Sequence, residues 1–212
     1  MEIRKDEEEL LVPVGQYLSS GVHIGTHQKK KEMEQFIYES RPDGLFVLDI
    51  NKTDTRLKVA GKFLARFDPE DILIVSSRLY GEKPAKVMAE TLRARSITER
   101  FVPGTLTNPE IREYIEPEVL FVIGPETDQQ AIKEASRAGI PVVSIVDTNS
   151  MIRDIDLAIP ANNKGRESLS LVYWILTREV LRDRGEIDNP ADYELEVEDF
   201  KASITQEEVP EE

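Results

Sequence analysis

Short, nearly unbroken apolar runs recur along the middle of the chain, at residues 45–50, 72–75, 119–123 and 142–146. Runs of this length, rich in β-branched residues, belong to strands buried on both faces. A weaker strand is predicted over 96–102, where alternation is imperfect, and a short terminal one over 157–159. The segments between them carry helical spacing. From Thr53 to Phe67 the set Leu57, Ala60, Phe63, Leu64 and Phe67 shares one face, and Arg56, Lys58, Lys62 and Arg66 occupy the remainder. Lys83-Pro84 opens a second helix running to about Arg93, since proline is tolerated in a first turn. In the third, Thr127 or Asp128 caps the start, Ala131, Ile132, Ala135 and Ala138 form the stripe, and Gly139 followed by Pro141 stops it. Residues 166–182 read as a helix whose apolar positions wrap too far round for a one-sided surface helix, so it is expected to pack across the sheet, beside an N-terminal helix containing Val14 to Ser19. Alternating strands and helices predict an α/β fold with a mainly parallel central sheet, right-handed crossovers and helices on both faces.

Composition narrows the class. Of 212 residues, 40% are apolar and 32% charged, and no stretch approaches the roughly 18 consecutive apolar residues of a membrane span. The start, MEIRKDEEELL, lacks the basic end and apolar stretch of a secretory leader, and its acids argue against a transit peptide. With no cysteine, disulfides and thiolate-ligated metals are excluded. The net charge of −14 points away from nucleic acid until its distribution is counted. Residues 186–212 hold −10 and residues 1–10 hold −3, which leaves the body at −1. Nucleic acid responds to local patches rather than to the total, so a neutral body with acidic ends is compatible with it. The expected organisation is one domain over 1–185, its first ten residues an acidic arm, followed by an acidic tail over 186–212 too polar to order itself.

Ligands of an open parallel sheet bind beyond the carboxyl ends of its strands. Asp49, Ser76, Ser77, Gly124 and Asp147-Thr148-Asn149 fall there. Asp49 and Asp147 suit Mg²⁺ binding or acid–base work, so one reading is a metal-dependent enzyme acting on a phosphorylated ligand. The same residue types cap helices and make turns. His23 and His27 have the i,i+4 spacing of a metal pair, but Gly21 and Gly25 break a helix through them and no third ligand is near. No phosphate-binding G-x-x-x-x-G-K-[ST] or G-x-G-x-x-G pattern follows any strand, so no cofactor is expected. Basic and small polar residues gather instead in loops: Thr26 to Lys31, Arg41, Arg93 with Arg95, Arg100, Thr105 to Asn108, and Asn162 to Arg166. Lysine and arginine neutralise phosphates, and Thr, Asn and glycine N–H groups bond the sugar-phosphate chain. Each cluster alone also reads as a solvated charged loop; together, on a neutral body, they favour RNA. Without an aromatic ladder, shape-directed contact with folded RNA fits better than base stacking. A third reading is an adaptor that binds protein through the acidic tail.

Ordered motifs over residues 10–182 resemble the second small-subunit ribosomal protein (S-two) family in its archaeal and eukaryotic form, which includes the laminin-receptor precursor. They are Tyr17-Leu-Ser-Ser-Gly-Val-His-Ile-Gly25, Phe36-Ile-Tyr38 with Arg41-Pro-Asp-Gly-Leu45, Leu48-Asp-Ile-Asn-Lys-Thr53, Arg100-Phe-Val-Pro-Gly-Thr-Leu-Thr-Asn108, Pro117 to Gly124, Gly139-Ile-Pro141 and Pro160-Ala-Asn-Asn-Lys-Gly165. The resemblance implies a flavodoxin-like three-layer α/β/α sandwich without enzymatic activity or cofactor. Its implied partners are small-subunit ribosomal RNA and neighbouring small-subunit proteins in the cytoplasm, with no membrane and no small-molecule substrate. The connection from Ile50 to Ile72 leaves no room for the helical-hairpin insertion of bacterial relatives, and the long eukaryotic C-terminal extension is missing, so laminin binding is not carried over. Thr26 stands where bacterial relatives often place a histidine. Lys29, Lys30, Lys31 and Arg41 are the expected phosphate neutralisers, with Arg100, Lys164 and Arg166 next. Thr105, Thr107 and Asn108 form the implied RNA-proximal loop, where Asn108, like Asn163, alternatively serves as a turn or cap residue.

Overall fold

The computed structural model describes residues 10–203. Pro13 opens a short helix α1 (Val14–Ser19). A 3-10 segment (Lys31–Phe36) leads into β1 (Ile37–Ser40), which reverses at Gly44, φ 84°, and returns as β2 (Phe46–Leu48). There follow α2 (Ile50–Leu64), β3 (Ile72–Val75), α3 (Leu79–Leu92), β4 (Arg95–Ile97), β5 (Val119–Val122), α4 (Gln129–Ala138), β6 (Val142–Val146), β7 (Leu157–Pro160) and α5 (Arg166–Asp183). Strands β3 to β7 form one parallel sheet in the order β4-β3-β5-β6-β7. Counted in chain order within that sheet the sequence is 2-1-3-4-5, the flavodoxin-like arrangement. The units β3-α3-β4 and β5-α4-β6 step in opposite directions, so right-handed crossovers place α3 and α4 on opposite faces. Burial agrees: Ile72, Ile74, Phe121 and Ile145 pack with α2, α3 and α5, whereas Leu73, Val75, Leu120 and Val122 pack with α4. The three-layer sandwich is as expected. No helix among the described residues is long and apolar enough to cross a membrane.

Several elements differ from expectation for local reasons. The first apolar run does not join the parallel sheet. Its β2 pairs antiparallel with β1, a strand the pattern did not reveal, because Asp49 interrupts the run and its carboxylate accepts the Asn51 N–H as the N-cap of α2. Helix α2 therefore starts three residues early. Helix α3 also starts early, so Pro84 lies inside it; Gly81 lets the first turn sit against Ile123 and Ser76, where a Cβ would overlap both. Arg93 ends α3 in the left-handed region, φ 57°, and β4 starts two residues later, at Arg95. The chain then leaves the sheet at residue 98, because Phe101 and Leu106 turn inward onto the α4 face. Asp128 precedes α4 without capping it by its side chain.

Helix α5 is buried almost all round, between α2 and α3. It meets α1 through the residues before that helix: Arg178 donates to Leu11 O at 2.8 Å, while Tyr17 Oη donates to the buried Asp54 of α2 at 2.9 Å. The expected disorder beyond Gly185 is corrected as far as Ser203. Phe200 is fully buried, Trp174 Nε1 donates to Leu195 O at 2.6 Å, Tyr193 lies 5.8 Å from the Trp174 ring, and Lys201 pairs with Glu167 at 2.8 Å. Spaced apolar residues inside the acidic composition supply the burial that the average concealed. The rest of the expected tail, 204–212, and the acidic arm over 1–9 lie outside the described residues.

Candidate nucleic-acid interface

The segment Gly21 to Lys31 is laid across the carboxyl ends of β6 and β7 by hydrogen bonds that meet at Thr148. Thr26 N–H donates to Thr148 Oγ1 at 2.9 Å, Thr148 Oγ1 donates to Gln28 O at 3.0 Å, and Lys30 N–H donates to Thr148 O at 2.9 Å. Asn162 closes the other end, its N–H donating to Val22 O and its Nδ2 to Gly21 O. Gly25 is the close approach: a Cβ there would overlap Thr148 Cγ2 and stand 2.8 Å from Phe46 O. The β1–β2 hairpin flanks this segment, held down by Met33, Phe36, Leu48 and Val146 in one apolar cluster. Three expected segments, 21–31, the hairpin bearing Arg41, and 162–166, are therefore neighbours.

The expected cations are not equivalent. Lys30 and Lys31 are exposed and in no ion pair among the described residues, although the charge of Lys31 reaches Glu34. Lys29 pairs with Glu34 at 2.8 Å and lies 5.4 Å from the Phe46 ring; that hydrogen bond, then its charge, holds the Glu34 carboxyl below its usual range. Arg41 pairs with Asp43 at 3.1 Å. Exposed pairs of this kind are screened by solvent and contribute little, so both cations can exchange partners for phosphate. Lys164 and Arg166 are committed internally. Lys164 Nζ donates to Asp147 Oδ2 at 3.0 Å and Asn149 Oδ1 at 3.1 Å, neutralising a carboxylate that is 1% exposed. Arg166 pairs with Glu167 at 3.2 Å and reaches Ala202 O.

Arg100 and the loop Thr105 to Asn108 are not brought to this cluster. They follow β4, the sheet edge opposite β7, and the loop folds back onto α4. The loop's donors are also used. Glu134 of α4 accepts Gly104 N–H at 2.7 Å and Leu106 N–H at 3.0 Å, so a carboxylate of the chain itself occupies the place of an anion; those hydrogen bonds outweigh its burial and keep it ionised below its usual pKa. Thr105 is buried and donates to Val102 O at 2.7 Å, and Asn108 Oδ1 accepts Glu110 N–H at 3.1 Å as a turn residue. Thr107 is exposed, its Oγ1 3.4 Å from Glu134. At the other loop the turn residue is Asn162 rather than Asn163, its Oδ1 accepting the Lys164 and Gly165 N–H groups.

The residues of the enzyme reading have structural work. Asp49 is a cap and Asp147 is neutralised by Lys164. Between β3 and β5, where the strand order reverses and a flavodoxin-like sheet would take its ligand, Asp128 fills the crevice: its carboxylate accepts Ser77 N–H at 2.9 Å and Gly124 N–H at 3.3 Å. Burial pushes its pKa up, against those hydrogen bonds. Among the described residues no group of three or more metal-capable side chains comes together. His23 is half-buried, which lowers its pKa, and His27 is exposed.

Sequence reasoning missed the cations of α4. Lys133 and Arg137 stand on its exposed face, across a surface groove from Lys30 and Asn149. Their i,i+4 spacing on the side opposite the apolar stripe was the available signal.

Comparison with known proteins shows which family the chain resembles. The family model for ribosomal protein S2 matches residues 17–116 and 111–182. The chain is 52% identical over 209 residues to the small ribosomal subunit protein uS2 of Saccharolobus solfataricus, covering 97% of this chain and 90% of that protein. It is also 52% identical over 199 residues to the protein of that name from Korarchaeum cryptofilum, covering 94% and 92%. The chain belongs to the ribosomal protein S2 family.

Proposed function

We infer that the chain is a structural constituent of the cytoplasmic small ribosomal subunit, bound to its RNA and to neighbouring proteins, and that it is not an enzyme. The observation that carries this is the 52% identity to small-subunit uS2 over 97% of the chain. The geometry supports it: a segment built across the sheet's carboxyl edge presents exposed cations, whereas the crevice where a small ligand would sit is filled by Asp128. Lys30 and Lys31, with Lys29 and Arg41, bind phosphates; Lys164 and Arg166 act behind them by holding Asp147 and the strap over residues 187–202. Arg100, which follows β4, makes a separate contact beside the loop that Glu134 holds. The protein is a positioned set of charges, and its binding free energy comes largely from counterions released as phosphates are neutralised.

Changing Lys29, Lys30 and Lys31 together to alanine is expected to weaken association with small subunits depleted of this protein. The slope of log K against log salt should fall by about 2.1 to 2.7, at roughly 0.7 to 0.9 for each phosphate that is no longer neutralised. A salt titration at unchanged thermal stability measures this, and an unchanged slope would contradict the assignment.

A further inference from the structure

We infer that the groove between α4 and residues 149–154 is a second phosphate-binding track, which continues the RNA contact from Lys30 across Lys133 and Arg137. The inference rests on the reading of the chain as a small-subunit protein and names residues that neither the sequence motifs nor the family assignment single out.

The groove encloses about 790 Å³ and is lined on one side by the exposed face of α4 and on the other by Gln28, Lys30, Asn149 and the turn containing Met151 and Arg153. Its walls are joined, since Ser136 Oγ of α4 lies 3.5 Å from Asp154 Oδ1. Three of its cations lack a carboxylate partner among the described residues: Lys30, Arg137, and Lys133, whose Nζ lies 3.1 Å from the neutral Gln129 Oε1. Its two carboxylates already face cations, Glu126 with Arg78 at 3.7 Å and Asp154 with Arg153 at 3.8 Å. The net field inside the groove is therefore positive although the chain as a whole carries −14.

The occupant is a sugar-phosphate backbone rather than a base. No aromatic side chain lines the groove, so there is no stacking platform, and the amides of Gln28, Gln129 and Asn149 stand beside the cations as sequence-independent partners for sugar and phosphate oxygens. Lys133 and Arg137 are one helical turn apart on one face, a row of two charges along the groove. The track is continuous with the first interface because the Lys30 backbone and Asn149 flank Thr148, on which the 21–31 segment is hung.

The test compares two variants of the full chain, Lys133→Ala with Arg137→Ala, and Lys30→Ala with Lys31→Ala, for binding to small subunits depleted of this protein across a KCl series. The α4 variant is expected to keep its thermal midpoint while its log–log salt slope falls by about 1.4 to 1.8. If the α4 variant keeps the full slope and the Lys30/Lys31 variant loses it, the groove inference fails and the ribosomal reading stands. If neither loses slope, both fail. The charge-preserving pair Lys133→Arg with Arg137→Lys should retain the slope; its loss there would make the effect one of shape and overturn the inference. A photo-crosslinker placed at position 137 is expected to form an RNA adduct, and an adduct to protein alone would assign the groove to a protein partner instead.

Discussion

Replacing Arg178 by alanine is expected to cost about 3 kcal/mol of stability, the lower end of what breaking a buried ion pair costs, because it leaves a buried carboxylate with only one of its two cations. Glu179 is fully buried; Arg178 lies 3.2 Å from its Oε1 and Arg182 2.5 Å from its Oε2. Neighbouring positions on a helix do not ordinarily face each other. They do here because α5 is enclosed, and the Arg178 guanidinium is fixed between the Trp174 ring, 4.7 Å away, and Leu11 O. Burial pushes the Glu179 pKa up, opposed by Arg182 and then Arg178. A carboxyl raised in the folded state contributes stability below its unfolded pKa, about 4.3, and loses it as pH rises through the folded value. Removing Arg178 raises that value further, so the deficit should be smallest near pH 4 and widen toward pH 8. Thermal melts of both proteins at the two pH values measure it. A gap independent of pH would mean that only packing was lost.

The second large effect belongs to the interface. Gly25→Ala is expected to lower affinity for depleted small subunits roughly tenfold, the lower part of the ~1–3 kcal/mol that overpacking costs, and to reduce the salt slope with it. The added methyl overlaps Thr148 Cγ2 and approaches Phe46 O, so segment 21–31 must lift from the sheet edge and carry Lys29, Lys30 and Lys31 out of register. Gly15→Ala in α1, where a Cβ meets nothing within 4 Å, is the control and should bind as the parent does. Parental affinity in Gly25→Ala would show that the placement of this segment is not what the RNA reads.

The parallel sheet was legible because 72–75, 119–122 and 142–146 are buried on both faces and need β-branched runs to be so. The run at 45–50 has the same appearance yet belongs to a hairpin, since an apolar run does not say what it pairs with and Asp49 served as a cap rather than as the end of a sheet strand. The strap over 187–202 was hidden by its acids, although Ile187, Tyr193, Leu195, Val197 and Phe200 are spaced to cover α5 and α3. At the site, Lys29 to Lys31 stood out as a cluster, but the difference between a free lysine and Lys164 depends on Asp147, 17 residues distant. The filling of the 104–108 loop depends likewise on Glu134, 28 to 30 residues on. Such commitments are made by tertiary contact and leave no local pattern. The α4 cations were overlooked for the opposite reason: Lys133 and Arg137 look like the ordinary solvated face of an amphipathic helix until the groove beside them is seen.

The most direct test of a ribosomal role is sedimentation of cell extract through a sucrose gradient, with this protein probed before and after a salt wash. Co-migration with the small ribosomal subunit is expected, retained at moderate salt and released as salt rises, with the Lys29/Lys30/Lys31 variant released earlier. A protein found wholly in the light soluble fraction under all conditions would contradict it.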